Sequence, residues 1–198
     1  MWSRVFALAY DPFLAAAERR GLARERARLL GTLHGRILEI GAGTGLNVPH
    51  YPPDVHVVYT EPDPHMAARL RRRGVEVVEA GAEALPFADA SFDFVVSTLV
   101  LCTVPDVPAT LAEVRRVLEP GGELVLIEHV RAASGTSLER WQDRLHGPWH
   151  AFACGCHCNR DLGASLAAAD FTADVEPQQW RFMPRIVRPV VSGSATPS

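Results

Sequence analysis

Lysine is absent from the chain: all 20 basic residues among its 198 are arginine. Set against 23 acidic residues they leave a formal net charge of −3. That is the wrong sign for a general nucleic-acid binder, which neutralises phosphates with a surplus of cations, so no nucleic-acid partner is expected. Long apolar runs are also missing. The longest, such as residues 94–96 and 99–102, fall far short of the about 20 residues that cross a bilayer, and no transmembrane segment is expected. The first four residues, Met1-Trp2-Ser3-Arg4, lead into a helix-like stretch without the apolar centre of a secretory signal. A cytoplasmic protein is the expectation. Cysteine is scarce, with four residues, three of them packed into Cys154-Gly155-Cys156-His157-Cys158. One residue separates neighbouring cysteines, not the two to four common in structural zinc sites. Reduced thiols are expected there and no metal.

What is present suffices for one domain. The chain is 47% hydrophobic and 22% charged, which suits a single core over residues 1–198 and leaves little room for two. Apolar positions between Phe6 and Leu33 read as one or two helices, a helical cap over residues 1–34, with Pro12 breaking or restarting the first turn. Arginines at 19, 20, 24, 26 and 28 make either a solvated helix face or a surface for anionic lipid or an acidic partner, a peripheral membrane contact.

After the cap, strand and helix alternate. Strands are expected at 37–40, 55–60, 75–78, 92–97 and 124–128. Helices are expected at 64–73, closed by Gly74, and from Asp106 to Leu118, closed by Glu119-Pro120-Gly121-Gly122. The strands lack clean two-residue alternation, as expected of a parallel sheet covered on both faces. The alternation stops at 131–158, a stretch with two tryptophans, three histidines and three cysteines, read as an insertion over the open edge of the site. A helix at 159–169, a closing strand pair at 175–183 and 186–191, and a flexible tail at 193–198 complete the reading. The fold class expected is α/β, a doubly wound, mostly parallel seven-stranded sheet.

Ile37-Leu38-Glu39-Ile40-Gly41-Ala42-Gly43-Thr44-Gly45 is the most informative stretch. A strand runs into three alternating glycines, which let a ligand approach the backbone closely. A helix N-terminus is expected to follow and to offer free N–H groups. Glu61 lies 20 residues after Gly41, where a carboxylate can hold both hydroxyls of a ribose. The nicotinamide fingerprint G-x-G-x-x-G fails, because Leu46 takes its last glycine position. Glu39, two residues before the first glycine, suits a cationic cofactor with an ammonium group better than a pyrophosphate; the alternative for it is an ion pair within the fold.

The glycine loop, Glu61, the run Gly81-Ala82-Glu83-Ala84-Leu85-Pro86-Phe87, then Asp89-Ala90-Ser91-Phe92-Asp93 and Leu118-Glu119-Pro120-Gly121-Gly122 stand in the order found in class I S-adenosylmethionine-dependent methyltransferases. The chain resembles that family over residues 37–130. The resemblance implies S-adenosylmethionine as cofactor. It implies binding through Glu39, Gly41, Ala42, Gly43 and Gly45, with Glu61 and Pro62 at the ribose. Ala82 and Glu83 would border the adenine, with Thr98 and Leu99 under the methionine part. Tyr10, in Tyr10-Asp11, resembles a residue that folds over the cofactor in relatives, or else packs in the core. Many relatives carry aspartate where this chain has Gly81, so Ala82 or Glu83 has to supply the adenine contact, or it is missing.

A closer resemblance starts after the fourth strand. Thr98-Leu99-Val100-Leu101-Cys102-x-Val104, Glu128-His129-Val130, Trp149-His150, Gly155-Cys156, Arg160-Asp161 and Val187-Arg188-Pro189 look like the thiol methyltransferases of the methyltransferase-like group. This implies methyl transfer to a small apolar thiol, a small-molecule acceptor. Those relatives carry an N-terminal hydrophobic anchor, and none is read here. An oxygen, nitrogen or carbon acceptor on a metabolite or lipid headgroup is the alternative, and a catalytically silent cofactor binder a second. A neutral histidine can take the acceptor's proton. His129, at the ligand edge of the sheet, and His150, in the insertion, are the two candidates, each with a packing role as alternative.

Overall fold

The computed structural model describes residues 2–180 and 182–198. Its centre is a seven-stranded sheet in the order β3-β2-β1-β4-β5-β7-β6. The first five strands are parallel: β1 Arg36–Ile40, β2 His56–Thr60, β3 Val77–Val78, β4 Phe92–Thr98 and β5 Leu118–His129. β6 Phe171–Gln179 and β7 Pro189–Pro197 close the sheet, β7 antiparallel to both β5 and β6. Both faces are covered. Leu38, Ile40, Val95, Leu124 and Leu126 pack into one large core with Leu111 and Val114, while Ile37, Val96 and Val125 pack on the other side with Leu30 and Leu33. This is why the strands read as continuous apolar runs.

The helices start where a polar side chain can satisfy their first N–H groups. Asp63 caps α3 Pro64–Arg71, Asp106 caps α4 Val107–Val117, Thr136 caps α5 Ser137–Phe152 and Asp161 caps α6 Leu162–Ala168. Between β1 and β4 the strand order reverses direction. The crevice beyond the strand ends at such a switch point is the usual ligand position in an open α/β sheet.

Three expectations need correction. Pro12 does not break the first helix: α1 runs from Trp2 to Ala17 through it, held by buried Ala7, Leu14 and Ala17. The break comes later, at Gly21 in a π-helical turn Glu18–Leu22, before α2 Ala23–Leu30. The insertion at 131–158 is built on α5. The closing strands begin and end elsewhere, and residues 185–187 form a 3₁₀ turn. Most important, residues 193–197 are not a tail. β7 threads between β5 and β6, pairing residues 190–195 with β5 and 189–197 with β6. Without it β5 would present an open edge. Gly193 is required there, since a Cβ would collide with the Asp174 carbonyl oxygen of β6.

Candidate active site

A cavity of about 400 Å³ opens beyond the C-terminal ends of the central strands. α1 lies over it and is tied down at two points. The Asp11 carboxylate accepts from Thr44 Oγ1 at 2.5 Å and pairs with Arg69 at 2.9 Å, and Ser3 donates to Asp63.

The wall after β1 and β2 is polar and backbone-built. Gly41, Gly43 and Gly45 all take left-handed angles, with φ of 53°, 59° and 81°. A Cβ on Gly41 would stand 2.7 Å from Val100 Cγ1, so only glycine fits this turn. No α-helix follows the loop; a 3₁₀ turn, Val48–His50, does. The expected helix N-terminus is therefore absent, and the loop amides are used differently. Gly43 N–H donates to Glu61 Oε2 at 2.8 Å, and Asp63 N–H donates to Glu61 Oε1 at 2.8 Å. Each carboxylate oxygen of Glu61 thus accepts one backbone bond and keeps capacity for another. Burial pushes this carboxyl above its ordinary value, against the two amides.

Next to it, after β3, Gly81 leaves room for Glu83: a Cβ at 81 would lie 2.9 Å from Glu83 Oε2. Glu83 lines the cavity, and its buried Oε1 has no hydrogen-bond partner among the described residues. An unsatisfied buried acceptor costs about 1–3 kcal/mol, a cost that a ligand amino group would remove. The cradle, Glu61 and Glu83 fit the hydroxyls and amino group of an adenosine.

Tyr10, Gly41, Gly43, Glu61, Pro62, Ala82, Glu83, Leu99 and His129 line the cavity. Glu39, Ala42, Gly45, Thr98 and His150 do not. Glu39 lies below the floor, 2% exposed. It accepts from Asn47 Nδ2 at 3.0 Å and from Tyr51 Oη at 2.7 Å, and Asn47 also donates to Thr98 Oγ1 at 3.0 Å. Arg26 of α2, buried and paired with Glu18 at 3.1 Å, reaches the same asparagine. Burial pushes Glu39 up to about 7. It stands off the cavity, and with Asn47, Tyr51 and Arg26 it forms a polar network that seats the cap against the glycine loop. Gly45 backs onto Leu70 and Arg73.

The wall after β4 and β5 is different in kind. Leu14, Cys102, Trp149, Phe152, Cys156 and Met183 line it together with His129. His129 is the last residue of β5 and stands edge-on to Trp180, with ring centroids 6.2 Å apart. Desolvation pulls its pKa down to about 4, only partly opposed by the nearby Val187 backbone. Nδ1 is buried and has no partner among the described residues. His150 is one residue beyond the cavity-lining Trp149, and about 100° of helical rotation turns it away. It is exposed and stands edge-on to His157, centroids 4.7 Å apart, while His157 Nδ1 lies 2.8 Å from His146 Nε2. The candidate base at 150 is thus outside the cavity. Among the described residues no group of three or more His, Cys, Asp or Glu side chains can hold a metal ion.

Glu128 was not singled out from the sequence as a site residue. Fully buried, it accepts from Ser97 Oγ at 2.7 Å, Val100 N–H at 2.8 Å, Leu101 N–H at 3.0 Å and Cys102 N–H at 3.2 Å. It clamps the loop after β4, including Leu99 at a left-handed φ of 59°. A carboxylate inside an apolar strand was the available signal.

Residues 38–126 match the methyltransferase domain family. The chain is 32% identical to the thiol S-methyltransferase TMT1B of Homo sapiens, over 94% of this chain and 85% of that protein. It is 36% identical to the human thiol S-methyltransferase TMT1A, over 80% and 69%. A crystal structure of an S-adenosylmethionine-dependent methyltransferase from Thermotoga maritima, described as a possible histamine N-methyltransferase, superimposes with a TM-score of 0.71 at 27% identity, covering 98% of this chain and 93% of that one. No helix among the described residues is long and apolar enough to cross a membrane. With its sheet order, its glycine turn and these relatives, the chain belongs to the class I S-adenosylmethionine-dependent methyltransferases.

Proposed function

We propose that the enzyme methylates a small, apolar thiol, with His129 holding the acceptor's proton. The observation that carries this reading is the composition of the wall after β4 and β5: apolar, aromatic and sulfur-bearing, with the imidazole of His129 on it. In the neutral ring protonated on Nε2, the unpartnered Nδ1 is the acceptor. A base whose conjugate acid sits near 4 leaves most of the activation to the nucleophile's own acidity, which favours a thiol over an alcohol. A protonated amine would bring an uncompensated charge into this wall. A thiol, with an ordinary pKa of about 8.5, needs the least help. The human relatives named above are thiol S-methyltransferases.

When bound, S-adenosylmethionine supplies an electrophilic methyl group on a sulfonium. Glu61 holds the ribose hydroxyls through the capacity left on its two oxygens, and Glu83 Oε1 accepts from the adenine amino group, replacing the aspartate that relatives place at position 81. Tyr10 and the rest of α1 exclude water from the reacting end. His129 Nδ1 accepts the S–H hydrogen bond, orients the sulfur and receives the proton as the nucleophile commits.

The test is a matched panel of alkyl and aryl thiols, alcohols and amines with radiolabelled cofactor. Label confined to the thiols is the expected outcome. Label only in another class would overturn the thiol reading.

A further inference from the structure

Two of the four thiols face each other on the cavity wall. Cys102 sits on the loop clamped by Glu128, its N–H donating to that carboxylate. Cys156 sits on the turn after α5, where Cys154 and Gly155 take left-handed φ values of 47° and 99°. The two backbones are joined directly, since His157 N–H donates to the Cys102 carbonyl at 2.7 Å. The sulfur atoms are 3.8 Å apart. Both side chains are buried from bulk solvent, and both line the cavity. A disulfide needs an S–S distance of about 2.0 Å, so the remaining approach is within the reach of side-chain rotation. The surroundings treat the two thiols unequally. The neighbouring Cys102 thiol, with the Trp149 indole, holds Cys156 below the ordinary thiol value, while its bond to Cys156 and burial hold Cys102 well above. An attacking thiolate beside a protonated resolving thiol has this asymmetry.

We propose that Cys102 and Cys156 form a thiol–disulfide exchange site on the cavity wall that takes small, apolar disulfides as oxidant. The Cys156 thiolate attacks one sulfur of R–S–S–R, forming a mixed disulfide and releasing one R–S⁻. Cys102 then gives up its proton and attacks Cys156 Sγ, closing the Cys102–Cys156 bond and releasing the second R–S⁻. The two cysteine protons end on the two released thiolates. The protein pair loses two electrons and the small disulfide gains them. The site stands on the geometry of this pair, whichever acceptor the enzyme methylates.

The experiment uses diethyl disulfide with the Cys154→Ser chain, followed by intact mass and peptide mapping. The expected product has lost two hydrogens, carries no adduct and yields a cross-linked peptide pair containing Cys102 and Cys156. Dithiothreitol should return it to the starting mass. Adding Cys102→Ser should stop the reaction at a mixed disulfide on Cys156. Full retention of free thiols would overturn the proposal, as would a bridge that runs to Cys158. The unmutated chain, mapped in the same way, decides the matter if the double variant does not fold.

Discussion

At the β2 end of the cavity Glu61 is fixed by two backbone amides, and the glycine turn beside it admits no side chain. At the β5 end His129 leaves Nδ1 unpartnered among leucine, methionine, tryptophan and two thiols. The first wall is preset for one ligand shape by hydrogen bonds that exist before it arrives. The second offers few directional groups, His129 Nδ1 and Trp149 Nε1 among them, and on the proposed reading selects by volume and by hostility to charge. An enzyme with an invariant cofactor and a variable acceptor is served by this division.

The comparison can be broken at the residue that joins the two walls. Glu128→Gln puts an amide N–H₂ against groups that themselves donate. It should cost about 3–5 kcal/mol, read as a lower urea midpoint. An unchanged midpoint would mean that the 99–102 loop holds itself.

A titration sharpens the contrast. The folded His129 has a pKa of about 4 against an ordinary 6.5, so the unfolded chain binds that proton more readily. Its contribution to stability is complete above pH 6.5 and is lost as the pH falls towards 4. His129→Asn should therefore gain on the unmutated protein over that window by about 3 kcal/mol. Glu39 runs the other way: raised from 4.5 to about 7, its contribution is complete below 4.5 and lost as the pH rises to 7. Glu39→Gln should gain as pH rises. Denaturant titrations at four or five pH values measure both difference curves, and parallel slopes in the two variants would refute the assignment.

On the proposed reading, Glu61→Ala removes two charge-assisted bonds to ribose. It should weaken S-adenosylmethionine binding by roughly 30–100-fold, about 2–3 kcal/mol, by calorimetry. Equal affinity would remove Glu61 from the cofactor site. The smallest effect belongs to His150→Ala, which should change kcat/KM by less than about twofold, since the ring lies outside the cavity. A large loss would show that α5 turns it inward during the reaction.

The parallel half of the fold was legible because its signals are local. Apolar strands, the glycine turn and the cap at Asp106 each announce themselves within a few residues. The second half of β7 was not legible, because Ser192-Gly193-Ser194-Ala195 has the composition of a tail. It is a strand through its two neighbours, and the small residues are what let β6 come close. In the site, Glu61 lies on the cavity, where its distance from the glycines puts it. Glu39 and His150 lie off it for one reason: sequence gives a residue's position along an element but not which way the element is turned. Asn47 and Tyr51, on either side of the 3₁₀ turn, and Arg26 of α2, which engage or approach Glu39, come from two separate segments.

The Glu128 clamp has a consequence for how such an enzyme can diversify. The loop it grips borders both walls, and one side chain on β5 holds it through three backbone amides, while His157 N–H and Arg160 bond its carbonyls from the other side. On the proposed reading, substitutions in α5 or around Met183 remodel the acceptor chamber while that clamp keeps the donor side in place. New acceptor preferences are then reachable by single mutations in a lineage, while the methyl-donor chemistry is inherited intact.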